Sequence, residues 1–163
     1  MARIEPISYR MCYTVKFATV IRGYHVYKKV WTPALGEEVS ISKDDRPEAK
    51  LHDENAMGVY KCELLCGHVP RELSELLRIY VAYSSTNNVT AKVTGECRAE
   101  HGLVVPALFE ATTENRFAAE QLHERLENKL HERLENINNE LPSFSLKIFP
   151  FTKCKLPTIN FKF

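Results

Sequence analysis

Two short polar segments hold most of the side chains that could do chemistry. The first is Leu51-His52-Asp53-Glu54-Asn55-Ala56-Met57, and the second, Gly67-His68-Val69-Pro70-Arg71-Glu72-Leu73, begins twelve positions after Asn55. Asp53 and Asn55 are residue types whose side chains bond nearby backbone and fix a turn, and on sequence alone that capping role is their default. Cys62, Cys66 and His68 have a ligand-like spacing, but a closed structural zinc site needs four ligands, and no second cysteine pair stands nearby. On a strand the three would share one face, and three ligands do not close a zinc site, so no metal site is predicted. The chain has no Walker-type glycine loop, no G-x-S-x-G and no H-E-x-x-H. No nucleophile–base pair or carboxylate–metal cluster can be assembled from these motifs, which points away from an enzyme and requires no cofactor.

Charge narrows the partners. With 163 residues, 44% hydrophobic content and a formal net charge of +1, the chain suits a packed domain with no global pull toward polyanions. The basic residues are nevertheless clustered. Residues 1–35 hold Arg3, Arg10, Lys16, Arg22, Lys28 and Lys29 against only Glu5, and the segment from Pro142 has four lysines and no acid. The five cysteines form no regular framework and read as reduced thiols. Met1–Pro6 contains no signal-like apolar run, and no stretch has the roughly 20 apolar residues of a membrane span. A nuclear or cytoplasmic location is expected, with neither secretion nor a membrane partner.

The elements that must position the polar segments follow from periodicity. Tyr13 to Arg22 alternates around β-branched and aromatic residues and predicts a strand that ends at Gly23. Tyr24 to Val30 is irregular, and Trp31-Thr32-Pro33 reads as a loop with one buried aromatic anchor. Gly36–Ser42 predicts a second strand, Lys43–Lys50 a solvated loop, and Ala56–Lys61 and Leu64–His68 a tight hairpin across Cys62-Glu63. Pro70 opens a helix running to about Ala82, with Leu73, Leu76, Leu77 and Tyr80 at helical spacing. Val89–Gly95 and Gly102–Glu110 supply further strands, and Pro106 demotes the latter to an edge or a bulge. Short strands with inserted helices fit a small barrel or sandwich better than a doubly wound sheet.

From Thr113 to about Asn139 the pattern is continuously helical. It contains a duplication, Leu122-His123-Glu124-Arg125-Leu126-Glu127-Asn128-Lys129 followed by Leu130-His131-Glu132-Arg133-Leu134-Glu135-Asn136-Ile137. Leucines every four residues drift by about 40° per step around an α-helix, so the stripe is no clean heptad seam. Packing across its own domain is favoured over a dimeric coiled coil. The tail interleaves Phe144, Phe149, Phe151, Phe161 and Phe163 with lysines. Such a tail can stack bases and neutralise phosphates, but a strand returning to bury its phenylalanines is the favoured reading. The divisions are therefore a β-barrel domain over 1–112, a charged helical segment over 113–141 and an aromatic, basic tail over 142–163.

A D-x-N-A turn at Asp53–Ala56, a strand, a G-H-V-P-R-E return at Gly67–Glu72 and a helix, preceded by Trp31-Thr32-Pro33 and Gly36-Glu37, resemble the HIRAN domain. The resemblance covers roughly Tyr13 to Thr112. It implies an α+β, mainly β fold, an OB-like small β-barrel with inserted helices, here followed by a long C-terminal helix. It also implies a recognition module that binds single-stranded DNA at its 3′ end. In DNA-binding members an aspartate of the motif turn recognises the terminal 3′-hydroxyl, aromatic rings clasp the last bases and basic residues hold phosphates. Carried over by position, Asp53 takes the aspartate's place, Tyr24 a stacking ring and Arg22 a phosphate contact. His52 stands where a well-known DNA-binding member has tyrosine, and Lys50 where it has asparagine; histidine stacks over less area, and Lys50 adds a cation. The alternative is a protein-interaction or assembly module that keeps the fold without DNA binding, with a protein partner or a second copy meeting helix 113–141. An enzyme acting on nucleic-acid ends ranks third.

Overall fold

The computed structural model describes residues 6–99, 103–135 and 146–157. Strand β1 (Tyr9–Ile21) is its spine. Alternation along β1 drives Val15 and Phe17 into the core, and Phe17 stacks on Phe109 of β7 (Leu103–Thr113) with ring centroids 5.2 Å apart. Antiparallel ladders carry the sheet from β7 to β5 (Asn88–Val93), β2 (Glu38–Lys43), β3 (Met57–Lys61) and β4 (Leu64–His68). A two-residue turn joins β3 to β4, with Cys62 and Glu63 both at positive φ (48° and 67°). That primed geometry matches strand twist, at the cost of placing two non-glycine residues in the left-handed region.

On its other edge β1 receives β8 (Lys147–Ile148) and β9 (Thr152–Pro157), while β6 (Arg98–Ala99) forms a short ladder with β7. The sheet is open. The expected barrel is not closed by a ladder among the described residues. A single antiparallel bridge, Arg22↔His68, joins the end of β1 to the end of β4, with reciprocal backbone bonds of 2.8 Å. Gly67 makes that approach possible: a Cβ there would stand 2.8 Å from the Arg22 carbonyl oxygen and 2.7 Å from Ile21 Cγ2.

Pro106 does not mark an edge. It lies in β7 opposite Val20, between β1 and the β5 side of the sheet. Proline is accommodated because β5 ends at Val93 and β6 reaches only Val104, so no strand requires an amide at position 106; the Pro106 carbonyl accepts the Thr94 N–H at 2.9 Å. The segment expected as a solvated loop also holds a short helix, α2 (Pro47–His52), begun by proline in its first turn. A one-turn helix, α1 (Tyr24–Tyr27), follows Gly23, whose φ of 78° ends β1. Trp31 is the buried anchor of its loop, and its Nε1–H donates to Glu37 at 3.2 Å.

Helix α3 (Arg71–Tyr83) buries Leu73, Leu76, Leu77 and Tyr80, the 3.6-residue stripe, against the sheet. Helix α4 (Arg116–Glu135) packs on α3, β1 and β7. Its leucine stripe behaves as the drift requires: Leu122 and Leu126 are buried, Leu130 is partly buried and Leu134 is 56% exposed. Strands β8 and β9 bring the described part of the tail back onto β1, with Phe149 and Phe151 half-buried; Phe144, Phe161 and Phe163 lie outside the described residues. No described helix is long and apolar enough to cross a membrane.

Candidate nucleic-acid interface

The strand register gathers the two polar segments at one end of the sheet. Arg22, His68, Gly58 and Ser42 form a row across β1, β4, β3 and β2. One step beyond Gly58 lies Met57, whose carbonyl accepts the Val69 N–H, and then Ala56, whose carbonyl accepts the Asp44 N–H at 2.9 Å. The loop before α2 and the turn after it are thereby pinned to the same corner as the β1–β4 bridge.

The centre of this corner is a residue the sequence did not mark. Asp44 has a fully buried side chain that accepts four hydrogen bonds. Its Oδ1 takes the Arg46 backbone N–H (3.3 Å) and Nε (2.9 Å), and its Oδ2 takes Arg46 Nη2 (3.0 Å) and His68 Nε2 (2.7 Å). Burial pushes the Asp44 carboxyl up, but the Arg46 guanidinium and the His68 ring outweigh it and hold the group down at about 2. An ionised carboxylate only accepts, so His68 carries its proton on Nε2 when neutral, and Nδ1 faces Gly23. The Asp44 pair likewise raises Arg46 above the ordinary guanidinium range, with the Tyr27 hydroxyl 3.4 Å from Nη2. The half-exposed ring of Tyr27 lies over His68 at 6.0 Å between centroids.

The residues singled out by sequence fare differently. Tyr24 is not available for stacking: it is 8% exposed, part of the core and edge-on to Trp31 at 5.8 Å. Tyr27, at the other end of the same turn, is the half-exposed ring of α1 and the one beside His68. Arg22 sits at the bridge, but its guanidinium pairs with Glu72 in the first turn of α3 at 3.1 Å. Lys50 is on the exposed side of α2, 3.7 Å from Asp45, which Arg78 also holds at 2.8 Å. His52 is exposed at the end of α2.

Asp53 ends α2: its N–H donates to the Ala49 carbonyl and its own carbonyl accepts the Ala56 N–H. Its Oδ1 accepts the Asn55 N–H at 2.9 Å, the side-chain turn expected of this residue pair. Among the described residues Oδ2 accepts no hydrogen bond, and the residue is only half-buried. The metal-like trio is dispersed, with Cys62 exposed in the turn, Cys66 buried and bonded to the Leu64 carbonyl, and His68 committed to Asp44. Burial raises the Cys66 thiol above its ordinary value. No cluster of three or more metal-ligating side chains occurs among the described residues.

The fold is similar to that in the crystal structure of the HIRAN domain of human HLTF, with a TM-score of 0.53 and 16% sequence identity over 72% of this chain and 92% of that chain. No family model and no curated protein matches the sequence.

Proposed function

We propose that the chain is a nucleic-acid-binding module that takes single-stranded DNA at the corner where β1 meets β4, with the 3′-hydroxyl end directed to Asp53. The observation that supports this most is the meeting of Tyr27, His68 and Arg46 at that corner, with Lys50 and His52 exposed on the adjoining α2, on a HIRAN-like fold. The Asx turn fixes the Asp53 carboxylate through Oδ1 and leaves Oδ2 to accept a terminal hydroxyl. The same negative charge repels a 3′-phosphate or a continuing phosphodiester, which would favour ends over interior DNA. Tyr27 replaces Tyr24 as the stacking ring in this reading, and Glu72 orients Arg22 while offsetting part of its charge. As a recognition surface the corner needs no cofactor and performs no reaction.

Fluorescence anisotropy with short oligonucleotides ending in 3′-hydroxyl or 3′-phosphate tests it. Tighter binding of the hydroxyl end, weakening steeply with salt, is expected. Equal affinity for the two ends removes the role of Asp53, and no binding at low salt removes the site.

One observation favours a second reading. A groove of about 210 Å³ between α3 and α4 exposes Ile79, Tyr83 and Phe117 beside Leu76 and Leu122. A partner protein or a second copy meeting α4 there would make the chain an assembly module. Sedimentation over a wide concentration range separates the two, since a monomer throughout counts against self-association.

A further inference from the structure

All five cysteines are free, and two of them stand directly across from each other. Cys12 on β1 and Cys154 on β9 are Cα partners in the ladder from Tyr9↔Pro157 to Thr14↔Thr152. Facing residues of neighbouring strands project to the same side, so the two thiols share a face. The Lys16 carbonyl accepts the Phe149 N–H, which shows that even-numbered residues of β1 turn their backbone groups to this edge. Cys12 is one of these, so its pair with Cys154 is of the hydrogen-bonded kind, with Cα atoms about 5.5 Å apart. That separation is common in disulfides.

The surroundings let the remaining gap close. Pairing of β1 with β7 begins at Tyr13, so among the described residues Tyr9–Cys12 pairs with β9 alone, as a two-stranded ribbon beyond the sheet. Every residue of β9 is exposed, and a two-stranded ribbon is marginally stable in water. Cβ atoms of facing pairs lie about 4.5–5.5 Å apart, against about 3.5–4.5 Å in a disulfide. Drawing the strands together by up to about 1 Å is within reach of such a ribbon, and the resulting strain keeps the bond easily reduced.

The geometry points to Cys12 and Cys154 as a reversible thiol–disulfide site that locks strand β9 onto β1, a property separate from the proposed DNA corner. The oxidant is a small disulfide such as oxidised glutathione. The exposed Cys154 thiolate attacks one of its sulfurs, forming a mixed disulfide and releasing one glutathione thiolate, which takes up the proton. The half-buried Cys12 thiolate then attacks the Cys154 sulfur and expels the second glutathione. Two S–H bonds are exchanged for one S–S bond in the protein, and the two electrons leave with the glutathione pair. A chemical reductant reverses the sequence.

Incubation of the full chain with oxidised glutathione, followed by non-reducing peptide mapping and hydrogen exchange, tests the site. A Cys12–Cys154 linkage within one chain is expected, with slowed exchange of the Tyr9–Cys12 and Cys154–Leu156 amides. Cys12→Ser should leave glutathione on Cys154, and Cys154→Ser should prevent the internal bond, with both variants keeping the far-ultraviolet dichroism of the parent. The inference is overturned if Cys12 and Cys154 stay alkylatable while exposed Cys62 and Cys97 are modified, if the linkage joins two chains, or if the internal bond forms without slowing exchange.

Discussion

Asp44 and Asp53 flank the same short helix, nine positions apart, yet the fold uses their carboxylates in opposite ways. The first is fully buried and saturated, with four hydrogen bonds from Arg46 and His68. The second is half-exposed and anchored through one oxygen to the next turn of its own loop. A side chain with every lone pair engaged organises its neighbours and has nothing left for a ligand. One held by a single local bond is oriented and still able to accept. The corner is therefore divided between a carboxylate that builds it and a carboxylate proposed to use it.

The largest effect should come from removing the builder. Asp44→Ala leaves Arg46 and His68 without their shared acceptor, and a loss of about 2 to 3 kcal/mol in unfolding free energy is expected, measured by urea denaturation. The same pair sets an acid limit. The folded-state carboxyl lies near 2, below its ordinary 3.8, so its contribution is present above about pH 4 and is lost as pH falls toward 2. Thermal melts of the parent should fall through that window, and melts of Asp44→Asn should fall less steeply there. If both proteins lose stability in parallel, Asp44 is not the ionised centre described above.

Gly67→Ala comes next. The added methyl meets the Arg22 backbone carbonyl and cannot be relieved by a rotamer change, so the β1–β4 bridge must open. A loss of about 1 to 3 kcal/mol is expected, with faster hydrogen exchange at the Arg22 and His68 amides. Unchanged exchange there would show that the corner does not depend on the bridge.

Substitutions on the using side should spare the fold. Asp53→Asn retains an oxygen for the Asn55 N–H, so stability should change by less than about 0.5 kcal/mol. The preference for a 3′-hydroxyl over a 3′-phosphate should nevertheless disappear in anisotropy titrations. Tyr27→Ala should cost about 1–3 kcal/mol in oligonucleotide binding, the worth of one stacked base. The smallest effect is expected for Lys50→Ala, a uniform weakening across sequences with the salt slope reduced by about 0.7, as for one phosphate contact on a single strand. A marked stability loss in Asp53→Asn would erase the contrast between the two aspartates.

Much of the architecture could be read from periodicity. The β3–β4 hairpin and α3 were expected within a residue or two of where they lie, and the four-residue leucine drift fits a stripe that is buried at Leu122 and Leu126 and 56% exposed at Leu134. Pro106 misled because proline in a strand speaks only about its own amide, whereas the end of β5 beside it is a matter of long-range pairing. Tyr24 misled for a similar reason: position relative to a motif does not say which face of a one-turn helix is buried. The segment around Asp44 looked like a solvated charge run because six of the eight residues from Lys43 to Lys50 are charged, and nothing local shows that one carboxylate is sealed under Arg46 and His68.

Local chemistry in the chain settled the types of the longer elements, the Asx turn at Asp53 and the likeness to a HIRAN domain, because propensity, alternation and turn formation act over a few residues. The pairing of Asp44 with His68, twenty-four positions away, the bridge from Arg22 to His68 and the facing of Cys12 by Cys154 depend on strand register. Register is a property of the assembled sheet, set by which hydrophobic faces bury together and by the close approach of the Arg22 backbone that Gly67 allows.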